Sequence, residues 1–121
     1  MQKREWGRVI TIGSVQEERY NPDFTVYAAL KTAQSHLIRN LAKNYSDSNI
    51  TFNNIAPGAF DTDRNKKFLS KSENYDRMLS LIPTGRIGQP KDCAGTALLL
   101  CSEAGSYING ANLFIDGGMR L

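Results

Sequence analysis

The chain has 121 residues, a formal net charge of +3 at pH 7 and a sequence pI near 9.0. That length predicts one domain at most, and a composition of 40% apolar and 22% charged residues excludes disorder, collagen-like repeats and a coiled coil. The longest apolar run, 97–101, is far shorter than the roughly 20 residues of a membrane span. The sequence shows no recognisable secretory signal and no basic stripe that would indicate nucleic-acid binding. We therefore expect a cytoplasmic protein without membrane or nucleic-acid partners.

The first predicted element is a short buried strand over residues 8–12. These residues read Arg-Val-Ile-Thr-Ile and are followed by Gly13-Ser14, a pattern typical of a strand that runs into a loop. The next residues, 15–24, are polar and contain the turn signal Asn21-Pro22-Asp23. We therefore expect a loop that leads into a helix.

A long amphipathic helix is predicted over Thr25 to Asn44, with Thr25 as its N-cap. Its apolar residues recur at three- and four-residue spacing without an intervening glycine or proline. They are Val26, Ala29, Leu30, Ala33, Leu37 and Leu41. A second strand follows over residues 49–56, and strand, helix and strand then form a right-handed parallel crossover.

The remaining chain adds helices and one more strand. Residues 63–82 are charged and loosely amphipathic, which predicts one helix or a pair of helices. Pro90 favours the first turn of a further helix, and residues 112–116 form the last strand. The fold class is therefore α/β with three strands.

Two cysteines, Cys93 and Cys101, fall on the helix that follows Pro90. We expect both thiols to be reduced and buried. One histidine and two separated cysteines cannot supply a zinc-like set of ligands, so no metal site is predicted. The histidine, His36, is interpreted as a packing or subunit-contact residue.

Tyr27 and Lys31 form a candidate catalytic pair. Residues four apart share one face of a helix, so the Lys31 ammonium can lie near the Tyr27 phenol. A positive neighbour stabilises the phenolate and lowers the tyrosine pKa toward a range useful for proton transfer. Ser14, at the end of the preceding strand, can offer a hydroxyl to a substrate oxygen beside Tyr27. Such pairs also occur on helices by chance, so the spacing alone does not establish catalysis.

A series of segments, in order, resembles the short-chain dehydrogenase/reductase family. The segments are residues 7–14, 26–31, 54–62, 85–90 and 109–118. The resemblance implies the C-terminal half of a Rossmann-like, doubly wound parallel sheet, and an oxidoreductase that moves hydride between NAD or NADP and a small alcohol or ketone. The segments are similar to gluconate 5-dehydrogenase-like and 3-oxoacyl-carrier-protein reductase-like members.

The same resemblance assigns roles to individual residues. Tyr27 is implied to be the general acid or base, Ser14 to orient the substrate oxygen, and Lys31 to lower the pKa of Tyr27 and bind the nicotinamide ribose. Residues 63–82 match the variable substrate lid, although they are equally interpreted as surface helices, and Pro57-Gly58 by itself is a strand-ending turn. The implied cofactor contacts are Tyr27, Lys31, Pro57, Gly58 and Thr62.

The glycine-rich turn that receives the dinucleotide pyrophosphate in such folds is absent from the sequence. The 10 glycines form no Gly-x-Gly-x-x-Gly pattern. The chain therefore resembles a truncated family member, a single partial domain over residues 1–121 that lacks the N-terminal dinucleotide-binding half. We expect it to bind NAD or NADP weakly on its own.

The loss of a neighbouring strand leaves backbone groups of the first strand unpaired. We therefore expect a homo-oligomer, formed through the helix over residues 25–44 or through the exposed edge. Two functions stay open. One is the oxidoreductase that the family implies, and the other is a non-catalytic remnant that acts as a self-associating structural module.

Overall fold

The computed structural model describes residues 1–121, with every side chain except that of Gln2. Three strands form one parallel sheet in the order β1-β2-β3. Their bounds are β1 (Gly7–Ile12), β2 (Ile50–Pro57) and β3 (Asn112–Ile115). The predicted α/β fold class is confirmed, and each predicted strand is present with its ends shifted by at most about one residue, as is usual for strand ends.

The central strand is β2, which pairs with a neighbour on each side and is buried from Ile50 through Ala56. Burial of both faces normally requires an apolar strand, yet Asn53 is fully buried. Its side chain is satisfied, because its Nδ2 donates to Ile108 O at 2.8 Å and its Oδ1 accepts from Ala111 N at 3.0 Å. Asn53 therefore fastens the loop that leads into β3.

The long helix α1 (Thr25–Asn44) has the predicted bounds, but Thr25 is not its N-cap. A 3-10 turn over Pro22–Phe24 precedes the helix, and Asn21 Oδ1 caps that turn by accepting from Asp23 N at 3.0 Å. Thr25 Oγ1 instead donates to Pro22 O at 3.0 Å. The helical turn therefore starts at Pro22, before Thr25, because the Asn21 side chain accepts from a backbone N–H two residues ahead.

Apolar residues occupy two opposite faces of α1. Ile38 and Ala42 pack against Ile50 and Phe52 on the sheet. Neither Ile38 nor Ala42 was in the predicted pattern, whereas Val26, Leu30 and Leu37, which were, are 73%, 66% and 56% exposed. Of the predicted apolar stripe only Leu41 packs against this cluster, so the stripe lies mostly on the open face.

The charged segment after β2 forms a pair of helices, α2 (Asp63–Leu69) and α3 (Ser72–Leu79). They separate at Lys71, whose backbone is extended. A further 3-10 turn over Pro90–Cys93 leads into α4 (Ala94–Cys101), as the proline predicted. Within the described part of the chain, no helix combines the length and the apolar character that crossing a bilayer requires.

Both cysteines are free thiols, and one of them is not buried. Cys93 is half-buried, and burial raises the pKa of its thiol. Cys101 is exposed on an outward side of α4 that also carries Leu98, so the expectation that it is buried is wrong. Only the way in which α4 packs decided which cysteine is covered.

Candidate active site

The carboxyl ends of the three strands meet at one edge of the sheet, the edge at which open α/β sheets bind ligands. Gly13-Ser14 follows β1 and Gly58 follows β2. Gly58 N donates to Ile115 O at 3.0 Å, and a Cβ at Gly58 would lie 2.8 Å from Asp116 Cα. The absence of a side chain at Gly58 thus lets β2 and β3 end side by side.

Lys31 lies between the Tyr27 ring and the carboxyl end of β1. Its Nζ is 5.9 Å from the centre of the Tyr27 ring and donates to Ile12 O at 2.7 Å. Gln34 completes this arrangement, because its Nε2 donates to Ile12 O at 3.0 Å and its Oε1 accepts from Lys31 Nζ at 3.4 Å. The spacing that predicted a Tyr27–Lys31 pair is consistent with this placement, and the contact with β1 is an addition to it.

The Tyr27 ring is held on two sides. Phe24 packs edge to face against it, with ring centres 5.9 Å apart and an interplanar angle of 62°. The Lys31 ammonium lies over the Tyr27 ring, 5.9 Å from its centre. Both contacts restrict the ring, since an edge-to-face aromatic pair and a nearby cation are each attractive. A restrained, half-buried phenol suits a group that exchanges protons with a bound molecule.

Ser14 is buried at the end of β1, where it caps the 3-10 turn Val15–Glu17. Its Oγ accepts from Gln16 N at 3.2 Å, and its backbone N donates to Glu17 Oε1 at 2.8 Å. A serine hydroxyl has one proton and two acceptor sites, so the Oγ–H stays available to donate to a bound oxygen. The structure therefore sets Ser14 two residues beyond the carbonyl that Lys31 contacts.

The residues implied to contact the nicotinamide lie at the end of β2 and just after it. Pro57 is the last residue of β2, and Thr62 precedes α2 with an extended backbone. The Thr62 side chain makes no capping hydrogen bond to α2, which leaves its hydroxyl free for another acceptor or donor. A ribose and a carboxamide bind through donors such as an ammonium, a phenol and a hydroxyl, so Lys31, Tyr27 and Thr62 stay the candidates for cofactor contacts.

Two cavities lie near this edge without including Tyr27 or Lys31. One, of about 70 Å³, lies between the ends of β2 and β3 and is lined by Phe60, Ile115 and Gly117, among others. The other, of about 620 Å³, is bounded by Tyr75 of α3 and by the segment 86–92. Of the segment 63–82, only Tyr75 lines either cavity, and the role of that segment as a substrate lid stays a prediction.

Arg86 and Asp92 form an ion pair beside both cavities. The Arg86 guanidinium donates to Asp92 Oδ2 at 2.6 Å and to Oδ1 at 3.0 Å. This hydrogen bonding, together with the Gln89 N–H, lowers the pKa of Asp92 from 3.8 to about 2. The pair anchors the entry to α4 and does not contact the Tyr27 site.

Two polar residues of the site were missed by the sequence analysis. Gln34 is three residues after Lys31 and so shares its helix face, which is a weak signal. Glu17 follows Ser14 by three residues, and Ser-x-x-Glu is the pattern of a capping box. That second signal was available in the sequence.

Comparison with known proteins agrees with the fold. A family model described as enoyl-(acyl carrier protein) reductase matches residues 1–120. A 7alpha-hydroxysteroid dehydrogenase from Escherichia coli (strain K12) is 43% identical over 118 residues, which cover 98% of this chain and 46% of that protein. A 3-oxoacyl-[acyl-carrier-protein] reductase from Pseudomonas aeruginosa is 38% identical over 121 residues, which cover 100% of this chain and 48% of that protein.

A solved structure shows the same likeness in three dimensions. A gluconate 5-dehydrogenase from Burkholderia cenocepacia J2315, in complex with NADP and tartrate, superposes with a TM-score of 0.91 at 35% identity, covering 97% of this chain and 46% of that chain. This chain therefore spans about half the length of the relatives it matches. With nearly all of its residues matched by the family model and its half-sheet superposing on that of a dehydrogenase, the chain belongs to the short-chain dehydrogenase/reductase family.

Proposed function

We propose that the site at the end of β1 transfers a hydride and a proton between NAD or NADP and a small alcohol or ketone. The observation that carries this proposal is the position of Lys31, whose Nζ lies 2.7 Å from Ile12 O and 5.9 Å from the centre of the Tyr27 ring. The Lys31 ammonium therefore lies between the Tyr27 ring and the end of β1, which Ser14 follows by two residues. Named relatives that are dehydrogenases and reductases support the same class of reaction.

In this proposal Tyr27 moves the proton. During oxidation the phenolate accepts the hydroxyl proton of the alcohol, and during reduction the phenol returns it to the ketone oxygen. Ser14 Oγ–H donates to that same oxygen, since its acceptor side is already engaged by Gln16 N. When bound, the nicotinamide supplies the hydride acceptor or donor for the substrate carbon.

Lys31 has one proton left for a second role. Its ammonium carries three N–H groups, and two of them point to Ile12 O and Gln34 Oε1. The third is available to a ribose hydroxyl. Thr62 would hold the carboxamide through its side chain, and Pro57-Gly58 would present backbone to the nicotinamide ring.

Weak cofactor binding follows from the same residues. The described chain offers groups for the nicotinamide end but no glycine-rich turn after a strand for the pyrophosphate. Titration with NADH or NADPH, monitored by nicotinamide fluorescence, is expected to show no saturation at micromolar protein. A micromolar dissociation constant for the 121-residue polypeptide would contradict this part of the proposal.

A self-associating module is the second candidate function. The open face of α1 and the unpaired outer edge of β1 favour it, because both leave groups that a second chain can cover. In that case the polypeptide dimerises and catalyses nothing. Turnover therefore separates the two candidates.

The deciding experiment measures turnover at high protein concentration with NAD⁺, NADP⁺ and their reduced forms. Substrates would be hydroxysteroids, gluconate, 3-oxoacyl thioesters and simple ketones. Tyr27→Phe is expected to lower any turnover at least about a hundredfold, because proton transfer at the substrate oxygen is lost. Tyr20→Phe is the matched control, since the Tyr20 side chain is fully exposed. Equal losses in both variants, or no wild-type turnover, would favour the module.

A further inference from the structure

A row of polar side chains crosses the sheet below the active-site edge, from the next-to-last residue of β1 to the first residue of β3. Thr11 of β1 pairs in register with Asn54 of β2, and Asn54 pairs with Asn112 of β3. Paired residues of neighbouring strands point to the same face, which here is the face that packs on α1. Thr11 Oγ1 donates to Asn54 Oδ1 at 2.6 Å, and Asn54 Nδ2 donates to Asn112 Oδ1 at 2.8 Å.

The carboxylate of Glu17 closes this row. Its Oε2 accepts from Asn112 Nδ2 at 2.9 Å, and its Oε1 accepts from Asn54 Nδ2 at 3.1 Å. Its Oε1 also accepts from the backbone N of Ser14 at 2.8 Å. Every partner of the carboxylate is therefore an N–H donor, and a carboxylate fits that set because it only accepts.

The loop between β1 and Ser14 has no room to shift around this carboxylate. A Cβ added to Gly13 would overlap Glu17 Oε1 and Asn54 Nδ2. On the other side, Thr32 Oγ1 of α1 donates to Glu17 O at 3.3 Å. Glu17 is thus hydrogen-bonded to side chains of β2 and β3, to α1 and to the backbone of Ser14, and Thr11 of β1 joins the row through Asn54.

We propose that Glu17 is a positioning residue that aims the Ser14 hydroxyl at the substrate oxygen. It holds the Ser14 backbone through the N–H, and the Gln16 N–H, which donates to Ser14 Oγ at 3.2 Å, restrains the side chain, so the Oγ keeps a position from which its O–H can donate to the substrate oxygen. The proposal rests on the proposed function of Ser14. Small displacements of a group that contacts the reacting atoms lower the rate strongly.

The first test is the variant Glu17→Gln. In the orientation that the Asn112 amide has here, the glutamine NH₂ group replaces the oxygen that accepts from Asn112 Nδ2, so that hydrogen bond is lost. We expect kcat to fall about tenfold or more with little change in KM, as for the loss of a hydrogen bond to a charged group. Glu18→Gln is the matched control, since Glu18 only meets Arg120 at the surface at 3.2 Å, and it should leave both constants unchanged.

A compensating variant separates positioning from misfolding. In Glu17→Gln/Asn112→Asp the introduced carboxylate accepts from the introduced amide and still accepts from Asn54 Nδ2. The double variant is expected to recover most of the lost kcat, whereas Asn112→Asp alone places two carboxylates together and should be worse than wild type. Failure of the double variant to recover, with its fold intact by circular dichroism, would overturn the proposal.

A double-mutant cycle tests whether Glu17 acts through Ser14. If it does, Glu17→Gln lowers kcat in the wild-type background but has no further effect on a Ser14→Ala background. Equal losses in both backgrounds would overturn the proposal, because they would show an effect that does not pass through the Ser14 hydroxyl.

An NMR measurement decides the question even without turnover. The Ser14 amide proton, which donates to the Glu17 carboxylate, should move upfield in Glu17→Gln and stay in place in Glu18→Gln. An unmoved Ser14 amide in Glu17→Gln would overturn the proposal. Absence of turnover in the wild-type protein would count against the proposed oxidoreductase, whereas the Ser14 amide shift can still be measured. Failure of the proposed function and failure of the Glu17 proposal are therefore distinguishable.

Discussion

At the scale of single residues, the backbone carbonyl of Ile12 organises the site. It accepts from both Lys31 Nζ at 2.7 Å and Gln34 Nε2 at 3.0 Å. The ammonium is therefore directed by the end of a strand as well as by the phenol one helical turn away.

Gly13 is a second residue whose role depends on its surroundings. Gly13→Ala is expected to lower the free energy of unfolding by about 2 kcal/mol, because the added methyl group displaces Glu17 or Asn54 from a filled space. Urea unfolding monitored by circular dichroism measures this change.

The control for Gly13 is Gly95→Ala, the same substitution in α4. No atom lies within 4 Å of a Cβ built at Gly95, so the alanine should stabilise the helix by up to about 1 kcal/mol. A Gly13→Ala variant as stable as wild type would show that Glu17 and Asn54 are not held in place.

At the scale of elements, the start of α4 depends on a charged cap. Asp92 Oδ2 accepts from Gln89 N at 2.7 Å, and both Asp92 oxygens accept from Arg86. The carboxylate thereby satisfies the N–H of Gln89, the residue that caps the 3-10 turn Pro90–Cys93. This capping box was not part of the sequence-based prediction, which relied on Pro90.

The lowered pKa of Asp92 predicts an acid dependence of stability. Because the folded-state pKa is about 2 against an ordinary 3.8, the ionised carboxylate stabilises the folded chain above about pH 3.8, and this contribution is lost as the pH falls toward 2. The stability difference between wild type and Asp92→Asn should therefore be constant from pH 5 to 7 and shrink below pH 4. Urea unfolding at each pH measures it.

The control for Asp92 is Asp63→Asn. Asp63 forms an ion pair with Lys66 at 2.7 Å, but both side chains are largely exposed, so the pair should matter little. A stability difference for Asp92→Asn that is already absent at neutral pH would contradict the capping role.

At the scale of the whole molecule, the sheet and its longest helix each have one side uncovered. β1 pairs only with β2 among the described strands, and α1 carries an open apolar face of Val26, Leu30 and Leu37. A contiguous apolar face of this kind is unusual on a monomer. The same helix was expected to form the contact between subunits.

We therefore expect the chain to self-associate through α1. Leu30→Glu/Leu37→Glu should shift sedimentation toward the monomer, because burying the new carboxylates at an interface is costly. Lys43→Glu changes the net charge by the same two units at another exposed position of α1 and should leave association unchanged. A wild-type chain that sediments as a monomer at every concentration would contradict the expectation.

Local patterns in the sequence determined much of this protein. The β-branched run 8–12, the uninterrupted periodicity of 25–44 and the Tyr27–Lys31 spacing each depend on neighbours along the chain, so strand positions, helix bounds and the shared face of the pair were predictable. The ordered motifs also indicated the family.

Tertiary structure decided the rest, because those contacts join residues that are far apart along the chain. Glu17 and Asn112 are 95 positions apart, and no local pattern indicates that the strand order brings them together. The same holds for the face of α1 that is covered and for the exposure of Cys101, since each depends on where the sheet passes beneath a helix. Periodicity reports that a helix has apolar faces, whereas only the packed chain determines which of them meets the sheet.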